Sequence, residues 1–516
     1  MQFLVFAAFA IVLSVPADGP PWWTLDWPQA TYAIAVGQVL LAGLVAWFFT
    51  RQVHVKLDRE AAWLHGAQRR LAQGSVAVRF VLGAGLLISV YLTDWVRRVR
   101  SWDGVESIFG LDELIVLAPF FAAILVSWVA LYPADRAVRR VAFEHRLWLS
   151  APARPVWRLG TYLSFMLRQH VLIIAVPMVP IVVANDAMLR YGPQIRRWAG
   201  LAWADQAALV GAAGLVFLVA PVLLRYIWHT RLLPPGELRS QLEEMCRRIG
   251  LTYRRILIWE SDGMVVNAAV MGLFRPVRYI LLSDGLLEMM DDRRIEAVFG
   301  HEAGHVKHRH IQYYLLFAVF SMLLVGGITE LAAWSVQHWS YLPQRWPSLF
   351  GSPRRVHDYL QVAAMGLIVL VWAVGFGGVS RRFEWQADLF GARSVTPGPE
   401  GCDQPCLVHG TAVLVPTGPD GPSASGTKRG EPVCASAALL FAGALQRIAD
   451  LNGIPVDARS WRHSSISNRM RLLQNYAVDP LSAARLERSV AIIKAVLLAG
   501  TVIGLTVAVW LYWPTT

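Results

Sequence analysis

Charge is scarce in this chain. Asp, Glu, Lys and Arg supply only 16% of its 516 residues, where a soluble domain carries about 25%. The mean hydropathy of +0.42 agrees. The shortage excludes an ordinary water-soluble globule and places much of the chain in lipid. Cysteine is scarce as well: four residues in a chain of this length are no disulfide framework. There is no basic stripe with interleaved aromatics, so the net charge of +12 does not mark a nucleic-acid surface. No internal repeat is evident. The first fifteen residues are apolar but lack a basic flank, which makes them a poor signal peptide. They are also short for a membrane span, and residues 1–31 remain an N-terminal apolar segment of undecided role.

What the chain has is a series of apolar runs near the roughly 20 residues that cross a bilayer. Eight are expected, at 32–50, 77–94, 113–132, 161–185, 206–228, 311–335, 358–378 and 490–513. Several of the 22 Trp residues lie near their ends, as interfacial anchors do. Stretches 51–79 and 133–160 carry six Lys/Arg each, and 95–112, 186–204 and 339–357 carry three each. Positive charge collects on the cytoplasmic side, so the alternation puts 229–310 and 379–489 together on that face. The fold class is therefore mainly α: a polytopic membrane protein of about eight transmembrane helices with a cytoplasmic α+β domain made from two separated segments. The parts are a five-helix region at 32–228, a first half-domain at 229–310, a transmembrane hairpin at 311–378, a second half-domain at 379–489 and a final span at 490–516.

Within 229–310 the patterning predicts a helix over 235–249 ended by Gly250, short strands at 255–259, 264–268 and 279–282, and a helix from Asp291–Asp292 towards His310 that merges into the sixth span. Residues 394–436, rich in Pro, Gly and Ser, read as a loop insertion. A helix follows at 435–452.

Gly300 to His305 contains His-Glu-x-x-His. On a helix, His301 and His305 share one face and can hold one Zn²⁺, while Glu302 can take a proton from water. A catalytic zinc needs a third protein ligand and an open position. Glu384 is the candidate, and Asp388, one turn on, can hydrogen-bond a ligand imidazole. The Glu384 pair begins where the seventh span ends, and the histidine helix adjoins the sixth. The hairpin of those two spans thus returns both half-sites to one membrane surface.

These elements resemble the integral-membrane gluzincin peptidases of the type I CAAX prenyl protease and HtpX group. Asn267–Gly272 resembles the group's N-A-x-x-x-G strand, Tyr279–Leu287 the strand and turn after it, and Arg381–Asp388 its R-x-x-E-x-x-A-D element. His463–Arg469 resembles a late H-P-x-x-x-x-R motif with Ser464 in place of Pro. The resemblance implies one catalytic Zn²⁺ on His301, His305 and Glu384, with Glu302 as general base and acid. Asp388 would orient a ligand histidine, His463 and Arg469 would lie near the oxyanion or the substrate backbone, and Asn267 would lie on an edge strand that pairs with an extended substrate. Plainer readings stand beside these: His463 and Arg469 as helix caps, Asn267 as a turn residue. The eighth span and the 394–436 insertion depart from the group, which leaves the substrate class open.

Three lesser signals remain. Cys402, Cys406, His409 and Cys434 could hold a structural zinc, form a disulfide or stay plain thiols. Their spacing matches no well-attested pattern, and a disulfide conflicts with a cytoplasmic face. Cys246 reads as packing. Arg168, His170 and Glu330 fall inside spans, where ionisable groups mark functional cavities unless they lie nearer the interface; His308 reads as interfacial.

The function expected is a zinc metalloendopeptidase of membrane-associated, misfolded or prenylated polypeptides. The setting expected is a bacterial inner (plasma) membrane, with lipid and polypeptide as partners and no nucleic acid. A signal-transducing sensor would need an outward domain, for which these loops leave little room. A transporter with a vestigial metal site would be supported by inverted repeats, and none is seen.

Overall fold

The computed structural model describes residues 1–15, 24, 27–59, 64–148, 156–201, 203–338, 344–347, 352–410, 432–452, 454–458 and 460–512. The chain divides into two compact units, Met1–Thr230 with Glu260–Met264, and Arg231–Trp259 with Val265–Thr516.

Among the described residues eight helices are long and apolar enough to cross a membrane, and each overlaps one of the expected runs. The first unit holds five of them: Pro28–Leu57, Gly66–Leu92, Leu111–Val141, Leu159–Ala199 and Ala204–Ile227. They overrun the apolar cores, so the basic stretches after the first and third spans begin as continuations of helix rather than as loops. Large apolar side chains such as Phe80, Leu215, Leu331, Val374 and Ile503 are exposed, the reverse of a soluble helix bundle and the expected surface against lipid chains. The helix Gln2–Ser14 has 13 residues, too few to span. His170 lines a cavity of about 200 Å³ with Ser75, Arg79, Asp135 and Tyr162, and Arg168 contacts His229 and Ser164. Glu330 is exposed.

The second unit carries a small sheet and the candidate chemistry. Its elements are β1 (Thr230–Leu232), α1 (Glu237–Ile249), β2 (Arg255–Trp259), β3 (Ala268–Met271), β4 (Tyr279–Ser283), α2 (Asp284–Met289), α3 (Asp292–Lys307), α4 (His310–His338), α5 (Pro353–Val371), α6 (Gly377–Ser394), α7 (Ala435–Asn452), α8 (Ile466–Val478) and α9 (Pro480–Tyr512). A short π-helical turn, Trp372–Phe376, joins α5 to α6. The sheet order is β1-β2-β4-β3, with β2 parallel and β3 antiparallel to β4. Ile256, Ile258, Ile280 and Leu282 enter one core with Phe299, Phe383, Phe441 and Leu473 from α3, α6, α7 and α8.

Local chemistry sets the ends. Gly250 closes α1 in the left-handed conformation, φ +67°. The Asp291 carboxylate accepts from the Arg294 amide and caps α3. Two expectations are corrected. No strand forms at 264–268: the Asn452 side-chain amide accepts from the Val266 N–H at 3.5 Å and donates to its C=O at 3.0 Å. Pairing therefore starts only at Ala268, where the chain meets β4. Nor does α3 merge into the sixth span, because Arg309 adopts φ +58° and separates it from α4. Of the 394–436 insertion, residues 411–431 lie outside the described residues.

Candidate metal centre

The site forms where α3 crosses α6. Glycines let the two backbones touch: a Cβ on Gly391 would sit 2.9 Å from the His301 amide, and one on Gly304 would sit 3.1 Å from the Ala387 Cα. At that approach the short Glu384 side chain of α6 reaches both histidines of α3. His301 Nε2 and His305 Nε2 are 3.3 Å apart, and the Glu384 oxygens lie 3.5 Å from the first and 3.7 Å from the second. Tetrahedral ligands bound at 2.0–2.1 Å to one zinc are roughly 3.3–3.5 Å apart. The two-imidazole, one-carboxylate set therefore fits a single zinc in both donor type and spacing, with three protein ligands.

A hydrogen-bond chain aims each imidazole. The His301 Nδ1–H meets Asp388 Oδ1 at 2.8 Å, and Asp388 receives two bonds from the Arg469 guanidinium, at 2.8 and 2.5 Å. His305 Nδ1 lies 2.9 Å from His310 Nδ1, and His310 Nε2 lies 2.9 Å from Gln386 Oε1. Gln386 Oε1 also accepts from Lys494 at 3.4 Å. Lysine only donates, so this Gln386 atom is the carbonyl oxygen and His310 donates to it through Nε2. His310 Nδ1 is then the acceptor for the His305 Nδ1–H. Both sequences of donors leave the Nε2 lone pairs of His301 and His305 facing the shared point, as metal ligation needs. His310 is wholly buried and stacked on Phe383 at 4.3 Å, which fixes its ring. The sequence reading missed His310, Gln386 and Lys494. The two-residue step from Glu384 to Gln386 was legible, but the break at Arg309 that turns His310 inward was not.

Electrostatics divide the histidines. Burial opposes charge on His301, yet its bonds to Asp388 and Glu384 prevail and raise its pKa to about 9. Burial dominates at His305 and pushes it down to about 3. Burial also raises the half-buried Glu302 carboxyl to about 7, against the pull of His301.

Other expected residues fall around this centre. His463, half exposed, lies 2.8 Å from Glu384 Oε1 through Nδ1. Arg469, expected near the oxyanion or the substrate backbone, lies beside the candidate ligands, 3.9 Å from Glu384 Oε2. Its guanidinium is buried in the two-pronged pair with Asp388, and Nη2 lies 3.5 Å from His301 Nδ1. A buried charge is held by its closest counter-charge, and here that is Asp388. The serine that replaces proline, Ser464, has φ +67°, a conformation closed to proline, and its hydroxyl accepts from Asn468. Asn267 precedes β3, and its own N–H and C=O both bond Ser283, at 3.0 Å each. Antiparallel pairing alternates, so Val270 points its backbone away from β4, on the side of Glu302. β3 is the last strand of the sheet on that side.

Residues 233–401 match Peptidase family M48. The chain is 32% identical over 118 residues to a Protease HtpX homolog of Pyrobaculum calidifontis, covering 23% of this chain and 33% of that one. It is 28% identical over 166 residues to one of Desulforapulum autotrophicum, covering 31% and 48%, and 23% identical over 190 residues to one of Methanocaldococcus jannaschii, covering 36% and 62%. The chain thus spans less than two thirds of these relatives. A solved structure titled Crystal Structure of S. mikatae Ste24p aligns at 14% identity and TM-score 0.48, over 87% of this chain and 99% of that one. The matched segment is similar to Peptidase family M48, and over part of its length the chain resembles proteases named HtpX homologs.

Proposed function

We propose that this chain is a membrane-embedded zinc-dependent endopeptidase, with His301, His305 and Glu384 as metal ligands and Glu302 as general base and acid. The observation that carries this reading is the convergence of the two Nε2 atoms and the Glu384 carboxylate at ligand spacing, beside the Glu302 carboxylate and the open edge of β3. Zinc bound in such a set supplies Lewis acidity and draws the pKa of a water towards 7.

Glu302 takes the proton of the attacking water and hands it to the leaving amine. A carboxyl raised to about 7 suits both halves of that exchange near neutral pH. An extended polypeptide adds to β3 as a further strand, using Val270 and, by alternation, Ala268 rather than Asn267. To His463, which bonds Glu384 Oε1 through Nδ1, this reading gives the role of donor to the developing oxyanion. Asp388 orients His301, and Arg469 is a positioning residue that holds Asp388. In this reading 229–310 and 379–489 form one peptidase domain, joined by the 311–378 hairpin and facing the cytoplasm of a bacterial inner membrane, as the Lys/Arg asymmetry supports. Substrates are membrane-associated, misfolded or prenylated polypeptides.

The test uses the detergent-purified chain and an unfolded membrane-protein reporter. Cleavage should stop on chelation, return with zinc, and slow about 10²- to 10⁴-fold in Glu302→Gln. Cleavage that survives chelation would overturn the reading.

A further inference from the structure

A second ligand cluster lies in the same unit, outside the hydrolytic centre. Cys402, Cys406, His409 and Cys434 each present one donor atom, and all four atoms lie within 4.8 Å of one another. Cys402 Sγ is 3.6 Å from Cys434 Sγ, and Cys434 Sγ is 3.7 Å from His409 Nδ1. Zinc–sulfur bonds of about 2.3 Å and zinc–nitrogen bonds of 2.0–2.1 Å, set tetrahedrally, put such donors roughly 3.5–3.8 Å apart. No disulfide joins these sulfurs, and Cys402 and Cys434 lie at nearly twice the roughly 2.05 Å of such a bond. We propose that these four residues bind a second zinc ion as a closed, structural Cys₃His site.

The surroundings suit a thiolate site. Cys406 and Cys434 are buried, at 1% and 0% exposure. The Ala435 N–H donates to Cys406 Sγ at 3.4 Å, and this is the first residue of α7, so the positive end of that helix faces a ligand sulfur. The Ser436 hydroxyl lies 3.4 Å from Cys402 Sγ while donating to Asp403 at 2.7 Å. Three soft thiolates with one imidazole select zinc over the hard divalent cations. Four protein ligands leave no open position, so the ion performs no hydrolysis. Its task is mechanical: it fastens the 402–410 stretch to the start of α7. That helix packs on α3 and α8 and sets Phe441 6.0 Å from the His301 ring. A chain that inserts a long polar segment between its carboxylate helix and α7 thereby keeps both ends of the insertion pinned.

The inference stands apart from the proposed peptidase activity, and metal counting separates the two. The full chain, purified reduced in detergent, should hold about two zinc ions, and His301→Ala/His305→Ala about one. Cobalt loaded into that double variant should show thiolate-to-metal charge-transfer absorption, which Cys402→Ser, with one thiolate fewer, should weaken. Should the Cys402→Ser chain fail to fold, alkylation of the wild type decides. Three thiols should resist labelling until a chelator is added. One zinc in the wild type and none in the histidine variant would overturn the second site. So would an intact mass two hydrogens light, the mark of a disulfide, or a cobalt spectrum without thiolate bands.

Discussion

Two clusters within one unit can hold the same metal, yet they are built for opposite ends. The histidine cluster offers three ligands on two crossed helices, borders an open strand edge and has a carboxylate beside it. The cysteine cluster offers four ligands on loop and helix start, with two of them fully buried. Ligand count and access separate chemistry from fastening. The lesson is that outer partners carry the distinction as much as the ligands do. His301 and His305 are each held by a chain of side chains, ending at Arg469 and Lys494. Among the sulfurs, that of Cys406 is held by the Ala435 backbone amide.

The contrast can be broken in graded ways. Glu302→Gln should have the largest effect: a loss of about 10²- to 10⁴-fold in cleavage rate, with both ions retained, read by turnover beside metal content. Next, His310→Phe removes the acceptor for His305 while keeping a ring against Phe383. Outer partners of this kind are worth about 10–100-fold in metal affinity. Chelator competition should show that loss at the histidine centre and none at the cysteine cluster.

Gly391→Ala presses a methyl against the His301 amide. Overpacking of this kind costs about 1–3 kcal/mol, visible as a lowered thermal midpoint, whereas Gly443→Ala in α7, which meets nothing within 4 Å, should not lower it. Smallest is a pH effect. A proton on His301 competes with metal below a pKa of about 9. Affinity at the histidine centre should fall about tenfold per unit as pH drops from 9 to 7, measured by isothermal titration in Cys402→Ser. A flat profile would contradict the raised pKa of His301.

Much of this was legible in the sequence. The eight spans followed from run length and hydropathy, and α7 was read to the residue because an unbroken helical pattern follows Cys434. The histidine pair was legible because helical spacing puts both side chains on one face, and Glu384 because the hairpin of the sixth and seventh spans returns its helix to the same membrane surface. What sequence could not supply was tertiary. Val266 is kept from a strand by an amide 186 residues away, and the pairing of Arg469 with Asp388, 81 residues apart, is encoded by no local pattern. The cysteine cluster was visible as residue types but undecided as chemistry, because its spacing matched no known pattern and only the fold brings Cys434 back to Cys402.

The central claim is that Glu302 works as the proton-transferring group of a histidine and glutamate metal centre. The most direct measurement is single-turnover cleavage by Glu302→Gln, with the metal content of the same sample. The account predicts wild-type metal content and cleavage slowed about 10²- to 10⁴-fold. Cleavage at the wild-type rate with metal in place would contradict it.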